Sequence, residues 1–122
     1  MKITPEKLKT ELQQYTGCEQ PFFNPLYRWL NYTDGAKAFA ELAEAYWFLD
    51  YVGFNLQTCA AKEDFIAIQL DVDGETMSAV ITITDGNENL VKPLKKIGYT
   101  DCPAGVWKFY LVNDMLMLPR EY

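Results

Sequence analysis

Apolar residues change their spacing once along this chain, from a helical repeat in the first half to strict alternation in the second. Leu8, Leu12 and Tyr15 recur at helical spacing, and Thr4-Pro5 before them is a cap followed by a proline at the first helical position. Ile3 and Leu8 sit where a hydrophobic staple would form, and Gly17 supplies a stop. Asn24-Pro25 repeats the cap-then-proline signal and predicts a brief helix through Leu26, Trp29 and Leu30. Thr33 is placed to cap a third and longest helix from about Asp34 to Val52, with Asp34 in the first turn, where negative charge suits the macrodipole. Phe39, Leu42, Ala43 and Tyr46 share one face of it. From Ala45 to Phe54, Asp50 apart, the residues are apolar or aromatic on every side, the pattern of a central helix buried all round.

From Phe65 the period becomes two. Ile66, Ile68, Leu70 and Val72 share one face, Asp73-Gly74 signals a hairpin turn, and Met77, Ala79, Ile81 and Ile83 continue the alternation to Thr84. Asp85-Gly86-Asn87 marks a second turn. A further strand spans about Leu90 to Ile97, where Pro93 cannot donate to a ladder and so favours an edge or a bulge. Val106–Val112 and Met115–Leu118 complete the set, joined by Asn113-Asp114 as a tight turn. The predicted architecture is α+β: about three N-terminal helices packed on one face of a four- or five-stranded antiparallel meander, in a single domain spanning residues 1–122.

Composition fits that reading. The chain has 122 residues, 49% of them hydrophobic and 15% aromatic, enough for one core and unlike a disordered segment. Its 17 acidic and 11 basic residues leave a formal net charge of −6, which disfavours direct nucleic-acid binding. Lys92, Lys95 and Lys96 fall on the predicted Pro93-containing strand and, together with Lys108, read as protection of a sheet edge. Cys18, Cys59 and Cys102 form neither a C-x-x-C pair nor an even disulfide framework, no apolar run matches a signal peptide or a membrane span, and a cytoplasmic location is expected. Without secretion, Asn31-Tyr32-Thr33 has no route to glycosylation.

Candidate chemistry is narrowed mostly by elimination. With no histidine and a single serine, Ser78 in mid-strand, neither a Ser-His-Asp nor a Cys-His site can be built. Phosphate-cradling glycine loops are absent, and three scattered cysteines match no zinc spacing, so no cofactor or metal is expected. Asp71-x-Asp73-Gly74 opens like a calcium loop, but the twelfth position is Thr82 rather than glutamate, and the turn reading is preferred. Asp85-Gly86-Asn87-Glu88-Asn89 likewise has the residues a turn wants. Asp50 is the least expected residue, a carboxylate among aromatics near a helix C-terminus. A structural carboxylate paired with Arg28, Lys37 or a tyrosine is one reading of it. A ligand or acid/base site with Asp34, Tyr46 and Trp47 is the other.

Tyr32-Thr33-Asp34-Gly35, Ala45-Tyr46-Trp47-Phe48-Leu49-Asp50 and Leu118-Pro119-Arg120-Glu121-Tyr122, together with the Asp85-Gly86 turn and the strand at Tyr110-Leu111-Val112, resemble an uncharacterised family of small bacterial and phage proteins. The resemblance runs from about Gln14 onward. It implies an intracellular protein of bacterial, phage or mobile-element origin and carries over no active-site residue.

Two functions of different class remain. The first is a non-enzymatic module that binds another protein through the open sheet face or the Leu118–Tyr122 segment, in one version an inhibitor of a host system whose carboxylates imitate phosphates. The second is a small-ligand binder or enzyme using carboxylate acid/base chemistry around Asp50. The interaction module ranks first, and homo-oligomerisation through an exposed edge is compatible with it.

Overall fold

The computed structural model describes residues 3–16, 21–23, 26–87 and 89–122. Gly17, Cys18, Asn24, Pro25 and Glu88 of the readings above lie outside those residues. Helix α1 spans Pro5–Leu12, its first turn closed by the Lys7 amide donating to the Thr4 hydroxyl at 3.2 Å, and it buries Leu8 and Leu12. Strands β1 (Phe22–Phe23) and β2 (Asn31–Tyr32) come next, so the helices do not all precede the strands. Residues 26–30 form a bend and a turn closed by Leu30 N–H to the Tyr27 carbonyl (3.0 Å) rather than the expected brief helix.

The long third helix is three. Helices α2 (Asp34–Leu42), α3 (Tyr46–Asn55) and α4 (Gln57–Lys62) replace it. The first break is a Schellman turn. Glu44 takes the left-handed conformation (φ 54°), its amide donates to Glu41 O at 3.4 Å, and the Ala45 amide reaches Ala40 O at 2.9 Å. Glycine usually occupies that position, so its substitution by glutamate hid the break. Nor is α3 buried all round. Phe48, Leu49, Val52 and Gly53 face inward, whereas Tyr46, Asp50 and Phe54, spaced four apart, form an exposed line.

Strands β3 (Phe65–Asp73), β4 (Ser78–Thr84), β5 (Lys95–Ile97), β6 (Gly105–Val112) and β7 (Met115–Met117) complete a seven-stranded sheet of order β1-β2-β7-β6-β3-β4-β5. It is mixed, not an antiparallel meander of four or five strands, because β2 pairs parallel with β7. The alternating segments β3, β4 and β6 lie where their periodicity put them. Asp73 and Ser78 pair across a four-residue turn whose last member, Met77, is left-handed (φ 57°), so Met77 leaves the predicted strand. Leu90 makes only an isolated bridge to Thr84, and the strand after Pro93 shrinks to β5 at the sheet edge, with Lys95 and Lys96 exposed. Asn113 and Asp114, both at positive φ, form the expected two-residue turn between β6 and β7.

One sheet face carries Ile66, Ile68, Leu70, Val72, Ala79, Ile81, Ile83, Trp107, Phe109 and Leu111, all buried with the helices. Phe39 of α2 centres this layer, its ring 6.2 Å from Phe48, 5.8 Å from Trp107 and 4.9 Å from Phe109. Ring pairs of this kind add ~0.5–1.5 kcal/mol each beyond area burial. Among the described residues no helix is long and apolar enough to cross a membrane.

Candidate functional site

The Tyr32-Thr33-Asp34-Gly35 and Leu118–Tyr122 segments meet at the start of α2. Thr33 caps the helix, its hydroxyl oxygen accepting the Ala36 amide at 3.2 Å, while the same hydroxyl donates to Glu121 Oε1 at 2.5 Å. Glu121 also accepts the Gly35 amide on Oε2 (3.1 Å) and the Leu118 amide on Oε1 (3.0 Å). A helix start presents amides without intrahelical acceptors, and here Thr33 and Glu121 take those of the second and third residues of α2. Such close approach needs a glycine: a Cβ on Gly35 would come within 2.6 Å of Leu118 Cδ1 and 2.8 Å of Glu121 Cδ. Pro119 opens a 3₁₀ turn, Pro119–Glu121, that returns the carboxylate to the helix. Tyr122 follows, packing its ring on Phe65 (5.5 Å) and Tyr110 (5.6 Å) on the other side of the sheet. The segment thus ties α2 to the uncovered sheet face.

The residues around Asp50 form a looser group. Asp50 is exposed on α3 and lines none of the cavities described below. Tyr46, one turn earlier and 47% exposed, donates to Glu41 Oε1 at 3.1 Å. Trp47 is half-buried, edge-on to Phe48 at 6.1 Å. Asp34 lies at the opposite end of α2, roughly 12 Å of helix away from Leu42, and so does not join them. Lys37, a candidate counter-charge for Asp50, instead approaches Glu41 (3.8 Å) and lies over the Phe22 ring, 4.2 Å from its centroid. Burial, and after it the charges of Asp50 and Glu41, hold the Tyr32 phenol above its ordinary pKa of 10.0. Asp85 is stabilised as a carboxylate first by the Asn87 amide (2.8 Å) and then by the Asn89 side chain (3.0 Å), which lower its pKa. These are the bonds of a turn. Among the described residues no three His, Cys, Asp or Glu side chains are grouped to hold a metal.

The sheet face away from the helices is open. Register places Phe65, Ala67, Gln69 and Asp71 of β3 beside Val80, Thr82 and Thr84 of β4 and beside Val106, Lys108, Tyr110 and Val112 of β6. Ala67, Gln69, Thr82, Thr84, Lys108 and Tyr110 line a hollow of about 320 Å³ on it. A second cavity of about 310 Å³, between α1, β6 and the Leu118–Arg120 segment, has Trp107 in its wall and Lys9, Lys108 and Arg120 around it. A third, about 300 Å³, lies between α4 and the Asp85 turn and includes half-buried Cys59. Periodicity predicted the open face; the second cavity had no signal, since its parts come from three distant segments.

The sequence model of a family of unknown function (DUF6876) matches residues 6–122, beginning earlier than the resemblance first read from Gln14. No curated protein and no solved structure matches the chain.

Proposed function

We propose, for a chain that belongs to the DUF6876 family, that it is a non-enzymatic protein-interaction module of bacterial or phage origin, acting in the cytoplasm through its open sheet face. The observation that carries this reading is the asymmetry of the sheet. Its helix side is packed with apolar residues, whereas the other side presents a mixed surface in which Val106 is 49% exposed and Tyr122 is 71% exposed beside Gln69, Thr82 and Lys108. Apolar and aromatic groups interleaved with hydrogen-bonding side chains are what a non-obligate protein interface uses. A membrane or nucleic acid is not part of this proposal, and the homo-oligomer is one form a protein partner could take.

Phosphate imitation by an inhibitor would want carboxylates gathered on one face. The described ones are instead spread over α1, α2, α3, the end of β3 and two turns, from Glu6 and Glu41 to Asp50, Asp73, Asp85 and Asp114. The acid/base alternative needs a cavity beside Asp50, and Asp50 lines none of the three cavities described above. Affinity capture of the tagged protein from lysate of its host, with mass spectrometry and a size-exclusion profile, tests the proposal. A stoichiometric protein partner or a self-association that consumes the open face supports it; a monomer that retains nothing counts against it.

A further inference from the structure

The sheet has a gap within it. Val112 and Met115 pair across the two-residue turn Asn113-Asp114, and a hairpin of that kind closes on a hydrogen-bonded pair. Alternation then sends the N–H and C=O groups of Val112, Tyr110, Lys108 and Val106 toward the β7 side of β6, and those of Leu111, Phe109 and Trp107 toward β3. But β7 ends at Met117, opposite Tyr110, because Pro119 turns the chain away into its 3₁₀ turn. Among the described residues, Val106 and Lys108 therefore have no strand on that side. The stretch from Val106 to Phe109 is roughly 10 Å long at the usual strand rise.

The 310 Å³ cavity lies along this stretch. Among the described residues its lining includes Lys9, Lys108 and Arg120 and no acidic side chain, although the chain as a whole carries a net charge of −6. Lys9 Nζ stands 6.0 Å from the centroid of the Trp107 ring. Backbone donors and acceptors without a strand, an apolar wall and three cationic side chains define both the shape and the charge of an occupant.

We propose that this notch accepts an extended acidic segment of a partner protein, added as a short strand along Val106–Phe109. The inference rests on the interaction-module reading and gives that reading a second, edge-on contact next to the open face. Main-chain pairing supplies the geometry, and Lys9, Lys108 and Arg120 select for carboxylates.

Amide-resolved NMR of the intact chain tests it with three probes: a blocked peptide alternating valine and glutamate, its valine–lysine counterpart, and inorganic phosphate. The valine–glutamate peptide is expected to shift the Val106 and Lys108 amides and slow their hydrogen exchange at least tenfold, with the other two probes inert there. Lys9→Glu with Arg120→Glu should weaken that peptide at least tenfold, while Thr82→Arg on the open face leaves it bound. Equal shifts from phosphate would overturn the proposal in favour of a simple anion site. Shifts at Gln69 and Thr82 in place of Val106 and Lys108 would overturn the notch and leave the open-face reading standing. Silence at millimolar peptide would overturn the notch alone, since partner capture judges the broader reading independently.

Discussion

The hydroxyl of Thr33 donates to Glu121 Oε1 across 88 positions of the chain, at 2.5 Å. That one bond joins two segments, Tyr32–Gly35 and Leu118–Tyr122, into a single helix-capping unit. Removing the carboxylate leaves the Gly35 and Leu118 amides and the Thr33 hydroxyl without their charged acceptor. Hydrogen bonds to charged groups are worth ~1.5–3 kcal/mol, and water can reach part of this site, so Glu121→Ala should cost about 2 kcal/mol in urea denaturation. In a double-mutant cycle with Thr33→Ala the two losses should overlap by more than ~0.5 kcal/mol. Strict additivity would show that the cap is not one unit.

Gly35→Ala introduces a methyl group where Leu118 and Glu121 already stand. Overpacking of this kind costs ~1–3 kcal/mol. The penalty should shrink when Glu121 is alanine, because one of the two obstacles is gone. An undiminished penalty in that background would mean that Leu118 alone sets it.

Glu44 pays for its left-handed backbone with side-chain crowding that a glycine lacks. Glu44→Gly keeps the Schellman turn between α2 and α3 and should raise stability by ~1 kcal/mol, the scale of the left-handed penalty for an L-residue. A fall in melting temperature would place the cause of the break elsewhere.

The Tyr32 phenol titrates above its ordinary value because it is buried and faces the charges of Asp50 and Glu41. Its folded pKa therefore exceeds its unfolded one. The contribution to stability is complete below pH 10.0 and is lost as pH rises through the folded value. Denaturation curves between neutral pH and the alkaline limit should steepen in their loss above pH 10.0, and Tyr32→Phe should flatten that loss. A variant with an unchanged alkaline slope would assign the effect to other tyrosines, such as Tyr46 and Tyr51, whose pKa values are also raised.

Much of this architecture is legible from local chemistry. Thr4 and Thr33 announce helix starts because a hydroxyl accepting a nearby amide is a short-range event, and β3, β4 and β6 announce themselves because one face of each is buried. What is not legible depends on distant partners. Strands β1 and β2, two residues each, are too short to show a period, and the parallel β2–β7 pairing that makes the sheet mixed exists only once the chain ends have met. Gly53 lies inside α3, where Tyr27 crosses so closely that a Cβ would sit 2.7 Å from its ring, a contact that no local pattern announces. Asp50 reads as a buried carboxylate because its neighbours in sequence are aromatic; it shares its exposed line with Tyr46 and Phe54, which are aromatic without being buried. Glu121 carries no local signal for its role, and its place beside Thr33 emerges only in three dimensions.

The most direct test of the interaction reading is a paired capture from host lysate with three baits: the wild-type chain, Thr82→Arg on the open sheet face, and Gln57→Arg on exposed α4. One stoichiometric partner should be retained equally by wild type and Gln57→Arg and depleted at least tenfold by Thr82→Arg. Equal retention by all three baits, or retention by none, would contradict the assignment of function to the open face.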